Sequence, residues 1–470
     1  MIPDPELIPY RGTRLPQRLE EAAQVFIQAG YQVYLVGGAV RSLVMKRAPS
    51  DFDLATDAHP HQITPLFRRV IPTGIAHGTV TVLYRGLSLE VTTFRSEGTY
   101  SDGRRPDSVT FGTSIVEDLS RRDFTMNAMA IDMKRQVLID PYGGRHDINE
   151  GQVRAVGDAA TRLGEDALRI LRAVRFSVQL DFALAPDTLA ALAPAAPKLS
   201  AVSVERVRIE LEKMLASPQP SRAFRLFRDH GILAHILPEF LPCISANTGD
   251  DAPELPLYEH LIRSMDATPD NRLELRLAAL LHDIGKPNTE TRDTDGSLRF
   301  IGHEKESARI ASELLKRLCF PTRVIRAVEH LVLHHMFFYE PSWSSAAVRR
   351  FIARVGRDSV GDLVQLRHAD SCGKHGPTKP SPLLNELLQR VEYENQSAGA
   401  FTIRDLAIGG NDLAAIGVKK GPEMGKVLEE LLETVLDDPD LNTKPRLLQI
   451  ARRLYETRFQ PLVRRSEEPN

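Results

Sequence analysis

Over residues 30–145 the apolar positions come in short, alternating runs. Residues 31–36, 79–84, 87–93 and 128–132 are rich in branched and aromatic side chains, bounded by turn signals such as Arg85-Gly86 and Tyr142-Gly-Gly144, and read as strands. From about residue 160 the spacing changes to the helical period. Leu168, Leu171, Val174 and Val178 form one stripe, and Val207, Leu211 and Met214 begin another. Pro-rich breaks at 193–197 and 217–220 separate helices, and 247–256 and 373–382 read as linkers. The pattern predicts an α/β head, with a small mixed or antiparallel sheet and helices, followed by a long all-α body. Four parts are expected: a head over 1–148, a helical neck over 149–245, a helical domain over 256–372 and a helical tail over 383–470. No internal repeat or low-complexity tract interrupts them.

Composition narrows this only a little. At 470 residues, 42% hydrophobic and 26% charged, the chain is a multidomain globular protein with no apolar span for a membrane. Its first residues lack the charged-then-apolar pattern of a signal peptide, so a cytoplasmic location is expected. Three widely spaced cysteines (Cys243, Cys319, Cys372) offer neither a disulfide framework nor a zinc pair. With a net charge of −2, any RNA contact must come from local basic patches. Histidine is uneven: eight of 14 lie between His260 and His375, which directs attention to a metal site there.

The head carries Leu35-Val-Gly-Gly-Ala-Val-Arg41 and then Asp51-Phe-Asp53. Either half alone is ordinary turn or surface chemistry; their order is the signal. Gly37 and Gly38 after an apolar run let backbone N–H groups approach a triphosphate, with Arg41 close by. Asp51 and Asp53, at i and i+2 of a strand, would point to one side and share a metal. Carboxylate and phosphate oxygens suit Mg²⁺, and a metal pair can clamp the attacking and leaving oxygens of a displacement. Glu90, in Leu87-Ser-Leu-Glu-Val-Thr-Thr-Phe94, would add a third carboxylate from a neighbouring strand. The chemistry indicated is metal-dependent nucleotidyl transfer.

Several further stretches follow in order: Thr73-Gly-Ile-Ala-His-Gly-Thr-Val-Thr-Val82, Glu90-Val-Thr-Thr-Phe-Arg95, Tyr100-Ser-Asp-Gly-Arg-Arg-Pro-Asp-Ser-Val-Thr-Phe111 and Arg121-Arg-Asp-Phe-Thr-Met-Asn-Ala-Met-Ala130. With the Gly-Gly and Asp-Phe-Asp stretches, this series resembles the class II tRNA nucleotidyltransferases, the bacterial CCA-adding enzymes and their poly(A) polymerase relatives, over about residues 30–240 and again from about 401. The resemblance implies a head of the DNA polymerase β type, with Asp51 and Asp53 as metal ligands and Asp123 and Asn127 as the ribose-sensing motif. It also implies that the loop over 96–107, full-length here, permits the switch from C to A. One departure is that Arg41 is followed by Ser42 where the family usually carries Asp.

In the neck, Gly164-Glu-Asp-Ala-Leu-Arg-Ile-Leu-Arg172 opens a helix on which Asp166 and Arg169, three apart, would be neighbours opposite the apolar stripe. A carboxylate accepts from the exocyclic amine shared by cytosine and adenine, while a guanidinium donates to the adjacent ring nitrogen. Guanine and uracil present a carbonyl there and would be rejected. In the resembling family this motif is the amino-acid template, which carries over Glu165, Asp166 and Arg169, with Arg172 beside them as a nucleotide contact.

The middle of the chain carries His260, His282-Asp283, His303, Glu329-His330, His334-His335 and Asp370. That order resembles the HD phosphohydrolase superfamily. The match implies His260, His282, Asp283 and Asp370 as ligands of a divalent transition metal of unidentified kind. His303 and His334 or His335 would be available for a second metal, and Lys286 would neutralise a bound phosphate. Some class II enzymes carry such a domain with 2′,3′-cyclic phosphodiesterase or phosphatase activity. In the tail, Lys419 and Lys420 before a helix, and Arg452 and Arg453 on the last helix, are candidate tRNA contacts. The expected activity is template-independent CCA addition to tRNA from CTP and ATP with Mg²⁺, plus a phosphohydrolase. The rivals are a poly(A) polymerase, a CC- or A-adding enzyme, and a hydrolase whose head only senses nucleotides.

Overall fold

The computed structural model describes residues 6–10, 15–75, 78–97, 109–112, 114–248, 255–294, 297–397 and 400–459. Ala76 and His77, and the 96–107 loop beyond Glu97, lie outside them. The chain divides into two compact units: Met1–Leu241 with Leu314–Phe320, and Pro242–Glu313 with Pro321–Asn470.

In the first unit the strands are β1 (Glu6–Pro9), β2 (Val33–Val36), β3 (Phe52–Thr56), β4 (Val70–Gly74), β5 (Thr79–Tyr84), β6 (Leu87–Thr93), β7 (Arg95–Glu97), β8 (Val109–Phe111), β9 (Ala130–Asp132) and β10 (Val137–Asp140). Eight of them form one mixed sheet in the order β1-β10-β9-β2-β3-β6-β5-β4, while β7 and β8 pair separately. β5 and β6 make the hairpin predicted by Arg85-Gly86, where both residues have positive φ (47° and 84°), as a two-residue hairpin turn requires. At the centre, β3 pairs antiparallel with β2 and parallel with β6. Alternation along β6 buries Leu89, Val91 and Thr93 and leaves Glu90 exposed. On one face Val36, Ala55, Phe94, Leu119, Ala130 and Ile139 share a core.

The neck follows with helices Ala159–Glu165, Leu168–Leu180 and Val204–Leu215. The predicted stripes are buried in them. A buried Arg175–Glu210 ion pair, 2.5 Å, ties the second helix to the third. One expectation fails here: 164–172 is not one helix. The chain breaks at Asp166, whose backbone is extended (φ −134°, ψ 106°).

The second unit is built from helices Leu257–Asp266, Leu273–Leu281, Thr322–His334, Val360–His375 and Pro382–Ser397, followed by the tail helices Pro422–Asp437 and Lys444–Leu454. Leu413, Val427, Leu431, Val435, Leu447 and Ala451 form the tail core. Arg349, itself buried, donates to the Leu436 and Asp437 carbonyls and to Glu394, so it caps the C-terminal end of Pro422–Asp437 with positive charge. The 373–382 segment is not a linker at its start: Gly373 lies inside a helix, and a Cβ there would fall 2.0 Å from Ser264 Oγ. Only from Gly376 does the chain leave the helix. No described helix is long and apolar enough to cross a membrane.

Candidate active site and metal centre

In the first unit the β2-to-helix turn makes the floor of a cavity of about 430 Å³. Gly37 has φ +70°, and a Cβ there would meet Arg122 Nη1 at 3.2 Å and Asp53 Oδ2 at 3.4 Å; glycine lets the backbone lie against both groups. Asp53 is in register with Glu90 across the parallel β3–β6 pair, so the two carboxylates share a face. Asp51 stands one residue before β3 rather than on it, and is exposed. Burial, then Glu90, push the Asp53 carboxyl up; Asp51 adds to this and Arg122 opposes it. An uncompensated carboxylate group of this kind fits a hard cation, which would relieve the repulsion.

Seven arginines and three aspartates line this cavity, an excess of positive charge suited to a triphosphate. Arg121 and Arg122 are held by Asp118, which is 1% exposed and accepts at 2.7 and 3.2 Å. Arg41 donates to Asn127 Oδ1 (2.5 Å), Asn127 donates to Asp123 Oδ1 (3.0 Å), and Arg172 donates to Asp123 Oδ2 (2.7 Å). Burial alone would raise Asp123, but Arg172, Asn127 and the Phe124 N–H hold it down to about 2. A second Arg172 nitrogen and the Phe124 N–H also reach it, at 2.5 and 2.8 Å. Its acceptor sites are therefore occupied by protein donors, and it meets the cavity through Arg172 and Asn127 rather than by a free carboxylate edge.

Asp166 and Arg169 line the same cavity but do not pair with each other. Asp166 Oδ1 accepts from the Leu168 N–H (3.0 Å) and Oδ2 from Arg206 (2.8 Å). Arg169 is buried rather than on an outer face, and donates to Glu165 (2.5 Å) and to the Arg162 and Arg121 carbonyls. The helix break at Asp166 is what separates them. Arg206 is the residue that helical spacing could not reveal, since it arrives from helix Val204–Leu215. Arg121, Arg122, Arg175 and Phe176 also line the cavity; the first two were visible in Arg-Arg-Asp-Phe-Thr but carried no spacing signal.

In the second unit, helices bring together two clusters of ligand-type side chains whose donor atoms lie within 4.8 Å of one another: His260, His282, Asp283 and Asp370, and Asp283, His303 and His335. All are buried. His260 Nε2 and His282 Nε2 stand 3.1 Å apart, with Asp370 Oδ1 at 3.3 and 3.5 Å and Asp283 Oδ2 at 3.6 and 3.4 Å. Donors bound tetrahedrally at ~2.1 Å stand ~3.4 Å apart, so this set fits a metal. Asp283 turns its other oxygen to His303 and His335, at 3.1 and 3.4 Å, and thus joins both clusters. The Nδ1 atoms of His282, His303 and His335 face the carbonyls of Ala279, Phe300 and Val332 at 2.7–2.8 Å. Donating there fixes the tautomer that aims each Nε2 lone pair inward. Burial alone would lower His282, but Asp283 and Asp370 raise it to about 9, and both carboxyls are held well below their usual range.

The structure decides between His334 and His335 and changes the expectation for Lys286. His335, not His334, belongs to the second cluster; His334 instead packs against His330 (ring centroids 4.6 Å). His330 itself meets the Val355 carbonyl. Lys286 is buried and pairs with Asp283 at 2.8 Å, so its charge is matched by a carboxylate rather than left for a free phosphate.

Comparison with known proteins places this arrangement. The Poly A polymerase head domain family matches residues 33–154, the family described as a probable RNA and SrmB-binding site of polymerase A matches 181–244, and the HD domain family matches 254–387. The CCA-adding enzyme of Lactobacillus johnsonii is 36% identical over 410 residues, covering 87% of this chain and 90% of that protein. This chain belongs to the CCA-adding enzymes. It is a tRNA-processing nucleotidyltransferase with an HD domain. The CCA-adding enzyme of Geobacillus stearothermophilus is 50% identical over 209 residues, which cover 44% of this chain and 52% of the relative. The crystal structure of the Bacillus stearothermophilus CCA-adding enzyme in complex with CTP superposes with a TM-score of 0.72 at 31% identity, covering 94% of this chain and 98% of that one. The Thermotoga maritima CCA-adding enzyme complexed with tRNA shares the fold (TM-score 0.55, 21% identity). Both domain types of the family generally use divalent metals.

The tail candidates are on the surface. Lys419 and Lys420 are exposed in the turn before Pro422–Asp437, and Arg452 and Arg453 are exposed on Lys444–Leu454. Of the other basic groups there, Lys444 pairs with Asp412 (2.6 Å) and Arg446 donates to the Asp440 carbonyl.

Proposed function

We propose that this CCA-adding family member adds C, C and A to tRNA 3′ ends from CTP and ATP without a nucleic-acid template, and that its HD domain hydrolyses phosphate esters. The observation that carries the first reading is one cavity lined by Gly37, Gly38 and Asp53 as well as Asp166, Arg169 and Arg206. The triphosphate would lie on the glycine turn with Arg41, Arg121 and Arg122 offsetting its charge. The ribose would meet the Arg41–Asn127–Asp123–Arg172 chain, and the base edge would meet Asp166 and Arg169. Arg206 and the Leu168 N–H hold the Asp166 carboxylate in place, leaving lone pairs for an exocyclic amine. Glu165 steadies the Arg169 guanidinium as donor to the ring nitrogen. Asp51, Asp53 and Glu90 would hold Mg²⁺, which when bound neutralises phosphate charge and activates the attacking hydroxyl. Relatives solved with CTP, ATP and tRNA support these partners, and Lys419, Lys420, Arg452 and Arg453 would hold the tRNA backbone.

For the HD domain, His260, His282, Asp283 and Asp370 would take one transition metal and Asp283, His303 and His335 a second; bound there, the metal supplies an activated water for attack on phosphorus. The substrate class is 2′,3′-cyclic or 2′-phosphates, as befits repair of damaged tRNA ends.

The test offers a tRNA ending before CCA with CTP and ATP, singly and together, and sizes products at one-nucleotide resolution. Two additions with CTP and a third only when ATP is present are expected; a long A tail or no extension overturns the reading. Asp53→Ala should abolish extension and leave phosphoesterase activity, and His282→Ala should do the reverse. Loss of extension in folded His282→Ala would refute the two-site assignment.

A further inference from the structure

Beside the HD-domain cluster lies a second cavity, of about 310 Å³, that the ligand set itself does not explain. Its chemistry has two halves. One wall is cationic: Lys374 and Arg367 each stand 3.3 Å from an oxygen of Asp370, and Lys379 is exposed at the rim. Lys374 and Arg367 share one carboxylate, Asp370, which already faces the imidazoles of His260 and His282. The other wall is aromatic. The chain leaving Thr322–His334 carries His335 into the second cluster and then sets Phe337, Phe338 and Tyr339 along the cavity. Phe337 and Tyr339 are buried, but Phe338 is 70% exposed. Most of this aromatic ring, three residues past a metal-ligand-type histidine, is left open to a ligand.

A cation pair at Asp370 and a free aromatic face match a phosphate and a planar base on one ligand. The volume is at the small end of ligand pockets, about 300–1,000 Å³, which suits one nucleotide. We propose that this cavity binds a nucleoside monophosphate unit, with its phosphate at Lys374 and Arg367 and its base stacked on Phe338. The ligand is either a free nucleotide or the last nucleotide of an RNA 3′ end; the recognition chemistry is shared. The inference rests on the HD-domain hydrolase reading and deepens it: the site selects esters by their base, and not simply by phosphate.

The structure also supplies the readout. Trp343 is the only tryptophan in the chain, and its ring packs 5.4 Å from Tyr339, which lines the cavity. The full-length protein is freed of metal with a chelator and titrated with 2′-AMP, with a short RNA ending in a 2′-phosphate, and with inorganic phosphate. Trp343 fluorescence and equilibrium dialysis follow binding. The wild type should bind 2′-AMP or the RNA at least tenfold more tightly than inorganic phosphate. Phe338→Ala should weaken the preferred ligand about tenfold, a loss of ~1.4 kcal/mol within the range for one base stacked on an aromatic ring, and leave inorganic phosphate unchanged. CCA addition by Phe338→Ala, unaltered, serves as the folding control. Tight binding of 2′-AMP alone assigns free nucleotides; tighter binding of the RNA assigns 3′ ends. Equal affinity for phosphate and nucleotide, or affinity unmoved in Phe338→Ala, overturns the proposal. Absence of hydrolysis by the metal-loaded wild type, with Phe338-dependent binding intact, overturns the hydrolase reading and leaves the nucleotide site standing.

Discussion

Asp123→Asn should destabilise the first unit by an amount that depends on pH. The carboxylate is 7% exposed and receives donors from Arg172, Asn127 and the Phe124 backbone. Together they outweigh burial and lower it from 3.8 to about 2. At ~1.4 kcal/mol per pH unit, that drop contributes roughly 2 kcal/mol of stability. The sign follows from a folded-state value below the unfolded one. The contribution is complete above about pH 5, has fallen to roughly half by pH 3, and is lost as pH passes below about 2. The asparagine also turns an N–H₂ towards Arg172 or Asn127, so about 2–4 kcal/mol is expected at neutral pH. Urea unfolding followed by circular dichroism at pH 7 and pH 3, with limited proteolysis to assign the transition of this unit, measures the difference. A loss under about 0.5 kcal/mol at pH 7, or an equal loss at both pH values, would refute the argument.

Arg206→Ala removes the 2.8 Å donor to Asp166; KM for CTP and ATP should rise about tenfold, with more GTP and UTP incorporated, read by single-nucleotide extension assays. Gly373→Ala places a Cβ 2.0 Å from Ser264 Oγ and 2.9 Å from His260 Nδ1; metal content by mass spectrometry should fall while CCA addition persists. Replacing both Lys419 and Lys420 by alanine should weaken tRNA binding several-fold and reduce its log–log salt slope by about 1–2. A filter-binding series at several salt concentrations measures this, and an unchanged slope would remove the two lysines from the interface.

Much of the fold was legible because its signals are local. The β5–β6 hairpin came from alternation and the Arg85-Gly86 turn, and the neck stripes came from helical spacing; both periods are properties of consecutive residues. Misreadings and open choices fell where the folded surroundings decide the outcome. Gly373 resembles a linker glycine until Ser264 and His260 approach it from another helix. His334 and His335 are indistinguishable by order alone, and the helix end turns only His335 towards Asp283. Asp51 and Asp53 have strand spacing, but β3 begins after the first of them.

By itself the sequence determined the kinds of group present and their order: a glycine turn before two aspartates, a Glu-Asp-x-x-Arg run, and a train of histidines and aspartates. Those are enough for the family, because ligand type and backbone freedom are carried by residue identity. Which of the candidate partners each charge takes was decided by tertiary structure. Helical spacing pairs Asp166 with Arg169; the folded chain instead gives Asp166 to Arg206 and Arg169 to Glu165. The physical reason is that a buried charge takes whichever opposite charge the packing brings within hydrogen-bond reach. Glu165 stands four residues from Arg169 in the same stretch, whereas the partner of Asp166 is set by how helices cross, which no single stretch of sequence encodes.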